Sequence, residues 1–138
     1  MTQENKELLL KDLCARLPYG VKVEVNFTEG KKVKDLSGYA DIINQDICVG
    51  CSWMPISDNI KPYLRPMSSM TEEEKKEFNS LINGVEERCI NAYGKGGYTL
   101  AFTEVNDWLN AHYFDYRSLI SIGLALEAPE GMYNINEK

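Results

Sequence analysis

Apolar residues recur at Leu10, Leu13, Cys14 and Leu17, the i, i+3, i+4, i+7 spacing of one helix face, while Lys6, Lys11, Asp12 and Arg16 take the other faces. Residues 4 to 17 therefore read as an amphipathic helix, stopped by Pro18 and Gly20. The period then switches. Val21, Val23, Val25 and Phe27 alternate with Lys22, Glu24 and Asn26, as in a strand with one buried face. Thr28 to Lys31 supplies a hairpin turn in which Gly30 takes a positive φ. The return strand covers residues 31 to 36, with Ser37 and Gly38 marking a bulge or bend. Further short strands are expected over Tyr39 to Ile43 and Asp46 to Val49, and a last one over Ile60 to Leu64. Pro62 places that last strand at an edge or strand start, because proline cannot donate to a ladder.

Thr71-Glu72-Glu73-Glu74 is a capping box in which the Thr71 hydroxyl accepts from the Glu74 amide and the Glu74 carboxylate reaches back to the Thr71 amide. The acids also suit the positive end of the helix dipole. Phe78, Leu81, Ile82 and Val85 give the helix its buried stripe, which ends at Gly84 or runs on to Gly94. Gly94 to Gly97 is a flexible link, followed by a short strand over Tyr98 to Phe102. Thr103 caps a helix that carries Val105, Trp108 and Leu109 inward. Asp115 caps a second, short helix through Leu119, Ile120 and Ile122, closed by Gly123. The tail from Pro129 onward has no periodicity and is expected on the surface. The sum is a single α+β domain over 1–138: an N-terminal helix, a small bent antiparallel sheet or SH3-like barrel over 20–66, and a helical C-terminal half over 70–126.

With 138 residues, 43% hydrophobic, the chain is long enough to bury a core without a disulfide or metal. A net charge of −6 argues against duplex nucleic acid as a partner, since such binding is driven by clustered cations. Lys31, Lys32 and Lys34 do cluster, but Glu29 and Asp35 flank them, as on a solvated hairpin. The N-terminus lacks the basic and apolar regions of a secretory signal, and no apolar run approaches the roughly 18 residues of a membrane span. No membrane association is expected, and a cytoplasmic location is, where Cys14, Cys48, Cys51 and Cys89 stay reduced.

Cys48-Val49-Gly50-Cys51 has the spacing of half a zinc site, but Cys14, Cys89 and His112 form no second close pair. Cys14 and Cys89 lie on apolar stripes and read as small buried hydrophobes. No metal and no cofactor are therefore expected. His112 has no nucleophile or orienting acid in a motif context, so no catalytic residue is assigned and no enzyme is expected. Two groups carry recognition chemistry. Gly94 to Gly97, through Lys95 and the Gly96 backbone, would cradle phosphate while Tyr93 and Tyr98 stack on a base, although the spacing matches no P-loop. Tyr63 and Arg65, between Pro62 and Pro66, are hot-spot residue types on the expected edge strand. The competing reading packs Tyr63 on the next helix and pairs Arg65 with its acidic first turn.

Residues 61–74, 107–117 and 123–133, which read KPYLRPMSSMTEEE, DWLNAHYFDYR and GLALEAPEGMY, resemble an uncharacterised group of short accessory proteins of gut bacteria, their phages and mobile elements. The resemblance implies an accessory role and transfers no activity. The segment from Asn83 to Phe102 departs from the group's pattern. These readings converge on a non-enzymatic accessory protein that binds and sequesters a nucleotide immune signal. The alternative is an interaction module that modulates a host protein through an edge strand or aromatic surface. Two tryptophans, eight tyrosines and four phenylalanines exceed what a small fold buries, so a homodimer through Trp108, Tyr113 and Tyr116 is expected.

Overall fold

The computed structural model describes residues 1–85 and 97–133, with the backbone alone for 97–101. The first helix, α1, spans Gln3–Arg16 and begins at Thr2, whose hydroxyl accepts from the Asn5 amide at 3.1 Å. A 3₁₀ turn over Leu17–Tyr19 ends it, with Pro18 fixing the entry and Gly20 at φ 70°. Six strands follow in one sheet: β1 Lys22–Phe27, β2 Gly30–Asp41, β3 Asp46–Val49, β4 Ser52–Pro55, β5 Ile60–Leu64 and β6 Leu126–Glu127, in the order β4-β3-β2-β1-β5-β6. All neighbours are antiparallel except β5 and β6. The α+β class is as read, and the sheet is an open one; β4 and β6 end it rather than closing a barrel.

The strands expected at 31–36 and 39–43 are two halves of β2. Leu36 faces Val49 and Ala40 faces Ile47, so β2 spends two extra residues at Ser37-Gly38, with Gly38 at φ 89°. That bulge bends the strand and turns its second half into a separate three-stranded lobe with β3 and β4. Val49-Gly50-Cys51-Ser52 closes the β3–β4 hairpin, with φ 60° at Gly50. Glycine at the first central position is what a type II′ turn asks for. Nothing lies within 4 Å of a Cβ built there, so Gly50→Ala is opposed by the backbone alone. It is expected to cost about 1 kcal/mol, read as a lower urea midpoint at unchanged slope.

Pro62 is not on an edge. The Asn26 amide donates to the Asn59 carbonyl at 2.8 Å, which makes 26/59 and 24/61 the bonded positions of the β1–β5 ladder. Pro62, opposite Val23, then turns its missing donor toward β6, where pairing starts one residue later at Tyr63.

The main core lies between the inner sheet face and α1: Leu9, Leu13, Val21, Val23, Val25, Ile47 and Ile60 are fully or almost fully buried. Asp12 and Arg16 are buried with them, contrary to their expected place on the polar faces. The reason is that α1 is covered on two sides, by the sheet and by residues 114–117, whose Phe114 carbonyl accepts from Arg16 and whose Arg117 donates to Asp12.

A second cluster joins α2 (Glu72–Asn83) to α3 (Gly97–Ala111) through Val85, Val105, Leu109 and Phe114. The expected strand over Tyr98 to Phe102 is the start of α3, and Thr103 sits inside that helix rather than capping it. Five residues fit either period; Ala101, Val105, Trp108 and Leu109 continue the helical one. Helix ends at Ala111, not near 126. The Asp115 carboxylate does accept from the Leu119 and Ile120 amides, at 2.8 and 3.0 Å, but Ser118 at φ 59° breaks any helix there. Tyr133 also leaves its expected surface position. Its hydroxyl accepts from the Lys22 amide and donates to the Tyr63 carbonyl, bridging β1 and β5, while its ring stacks on Tyr113 with centroids 3.8 Å apart. No helix among the described residues is long and apolar enough to cross a membrane.

Candidate functional site

Of the residues expected to bind a ligand, Tyr93, Lys95 and Gly96 lie outside the described residues, as do Cys89 and any continuation of α2 to Gly94. Tyr98 contributes backbone to the first turn of α3, and its side chain is outside them too. Tyr63 and Arg65 are described, and both are engaged within the fold. The Tyr63 hydroxyl donates to Glu24 at 3.0 Å across the β1–β5 pair. Arg65 donates two bonds to the Glu74 carboxylate, at 2.8 and 2.7 Å, and one to the His112 carbonyl, with its guanidinium 4.2 Å above the Phe114 ring. Burial pushes the Glu74 carboxyl up. The bonds from Arg65 and the Thr71 amide, with the Arg65 charge, outweigh burial and hold the group below the ordinary carboxylate range. Arg65 is therefore a structural tie between β5, α2 and the end of α3, not an exposed recognition group.

The C-terminal aromatics expected at a dimer contact are likewise consumed internally. Trp108 packs among Phe78, His112 and Phe114 and donates its indole N–H to Glu77. The Tyr116 hydroxyl donates to Asn110, with Arg16 and Arg117 near its ring, and Tyr113 donates to the Tyr19 carbonyl. His112 holds one tautomer: Nδ1 lies 2.8 Å from the Trp108 carbonyl, which only accepts, so Nδ1 carries the proton. Among the described residues, no three His, Cys, Asp or Glu side chains gather as metal ligands. A cleft of about 540 Å³ between α2 and α3 is lined by Lys76, Glu77, Ser80, Leu81 and Trp108, with no convergent set of polar groups beyond the Glu77–Trp108 bond.

The exposed apolar surface is concentrated instead on the β2–β3–β4 lobe. Ala40, Ile47 and Met54 face the core, so the alternate positions Tyr39, Cys48 and Trp53 share the outer face. Cys48 is buried between them, whereas Tyr39 is 66% and Trp53 55% exposed. One step along the same face come Asp41, Asp46 and Pro55, in register across the three strands. Ile42 and Ile43, 69% and 93% exposed, occupy the β2–β3 turn beside them. That turn is built: Asp41 accepts from the Asn44 backbone and side-chain amides at 3.0 and 2.8 Å, bonds that hold its carboxyl below the ordinary range, and Gln45 takes φ 56°.

This surface was missed because β4 carries no alternating run long enough to register as a strand. The signal that would have found it is Gly50, the glycine that closes the hairpin between Val49 and Ser52. Cys51 lies exposed in the hairpin loop and Cys48 on the strand. Comparison with protein-family models, curated proteins and solved structures matches nothing.

Proposed function

We propose that this chain is a non-enzymatic binding module that seats a protein partner on the outer face of the β2–β3–β4 lobe. The supporting observation is the exposure of Tyr39, Ile42, Ile43 and Trp53 on one lobe, while Trp108, Tyr113 and Tyr116 are packed and hydrogen-bonded within the chain. Aromatic and aliphatic anchors clustered on a rigid sheet are the groups that dominate protein interfaces.

The face, rather than the strand edge, supplies the contact. In the β3–β4 hairpin the 49/52 and 47/54 positions are bonded, so β4 turns outward only the Trp53 amide and carbonyl and the Pro55 carbonyl. One donor on a four-residue strand is a blunted edge. The accessory role in mobile DNA comes from the sequence resemblance, and sequestration of a nucleotide rests on Tyr93, Lys95, Gly96 and Tyr98, to which no described side chain adds support.

A double variant, Trp53→Ala with Ile43→Ser, removes two exposed anchors. Its stability is expected to stay within about 0.5 kcal/mol of the parent, while capture of host proteins on immobilised protein falls at least tenfold. Equal capture by parent and variant would refute the reading.

A further inference from the structure

We infer that the occupant of this face is a protein segment that presents an arginine side chain, between Tyr39 and Trp53, to the carboxylates of Asp41 and Asp46. The inference rests on the reading of this face as the binding surface. Asp41 and Asp46 are directly opposed across β2 and β3. Like charges in that position destabilise a sheet unless something compensates them. Two other carboxylates of the sheet do meet a cation of the protein itself: Asp35 meets Lys22 at 2.9 Å and Glu24 meets Lys31 at 3.6 Å. Asp41 and Asp46 enter none of the ion pairs among the described residues.

The neighbouring row defines the shape of cation that suits the face. Tyr39 of β2 and Trp53 of β4 lie on the outer face to either side of β3, where Cys48, opposite Trp53, is covered. A planar group laid over this face can stack on either exposed ring within the roughly 6 Å reach of a cation–π contact. A guanidinium is planar, always charged, and carries its donors in a fork that can serve both carboxylates at once, whereas an ammonium is a strongly hydrated point charge. Calcium takes about 6 to 8 oxygen ligands, and two carboxylates, one already holding Asn44, fall well short of that set.

The test uses N-acetyl-arginine amide and its uncharged citrulline isostere, titrated separately into the full-length ¹⁵N-labelled protein. The arginine probe is expected to shift the Trp53 indole and the amides around Tyr39, Asp41 and Asp46 at a concentration at least fivefold below that of the citrulline probe. Asp41→Asn with Asp46→Asn should weaken the response at least fivefold, and Asp46→Asn alone should weaken it in part while leaving the Asn44 turn intact. Glu72→Gln with Glu73→Gln removes the same charge far from the face and should change nothing. An equal response from both probes, shifts spread over the surface, an unchanged response in the carboxylate variants, or saturation of the same resonances by calcium chloride at a lower concentration would each overturn the inference. Capture that is lost with Trp53→Ala but survives the two asparagines would leave the binding surface standing and remove only the arginine. Capture that survives both would remove the two together.

Discussion

Replacing Asp12 with alanine is expected to lower the unfolding free energy by about 3–5 kcal/mol, seen as a large drop in the urea midpoint. Asp12 is fully buried and holds two cations: Arg16 donates from Nε at 2.9 Å and Nη2 at 3.0 Å, and Arg117 donates from Nη1 at 2.9 Å. Alanine leaves Arg16, itself without exposed surface, as a charge in a medium that solvates it poorly. The Phe114 carbonyl, at 2.7 Å from Nη2, is then its chief remaining partner, and Nη1 is already without one. The cause is the uncompensated charge rather than the lost contact area. Asp12→Leu combined with Arg16→Met should therefore cost less than Asp12→Ala alone, because it removes the buried pair together. A double variant less stable than the single one would show that the bonds, not the stranded charge, carry the energy.

Arg65→Met is expected to cost about 3 kcal/mol and to change how the protein answers acid. Arg65 and Glu74 are 15% and 5% exposed, so little solvent screens their paired bonds. Methionine keeps apolar contact with Phe114 but leaves the Glu74 carboxylate with the Thr71 amide alone. In the parent, the folded-state pKa of Glu74 lies below its unfolded value, so the pairing stabilises the fold above the ordinary carboxylate range and is lost as pH falls through the folded value. Without Arg65, burial is opposed by Thr71 alone, so the folded-state pKa of Glu74 rises above that in the parent. Stability should therefore fall less steeply with acid in Arg65→Met than in the parent, and the gap between the two should narrow as pH drops through the carboxylate range. Parallel curves of stability against pH would contradict this account.

The second of these ties was visible in the sequence and the first was not. The Thr71-to-Glu74 capping box is present as read, with both reciprocal bonds, and the competing reading of Arg65 as a partner for those acids is the one realised. The alternation of β1 was legible because that strand buries one face, and α1 because Leu10, Leu13, Cys14 and Leu17 keep the helical spacing. Asp12 and Arg16 were not, because a helix covered on two sides buries polar positions that a single-stripe pattern assigns to solvent. The same limit hid the end of the chain: Tyr133 is fixed by bonds to Lys22 and Tyr63, far away in sequence, and leaves no local signature. The proposed binding face was illegible for a different reason. Its residues look like ordinary strand formers until the Ser37-Gly38 bulge turns them away from the core.

The parallel pairing of β5 with β6 also bears on the order in which the molecule assembles. Strands β1 to β4 are joined by short turns and β5 follows closely, so their hairpins close small loops. Tyr63 waits for Leu126, and Leu64 for Glu127. Closing so long a loop is entropically the later event. Until then β5 is a naked strand edge, open to the wrong partner in a crowded, half-folded population. Pro62 faces that side with no N–H to offer, and so guards the edge during the interval before its proper neighbour arrives.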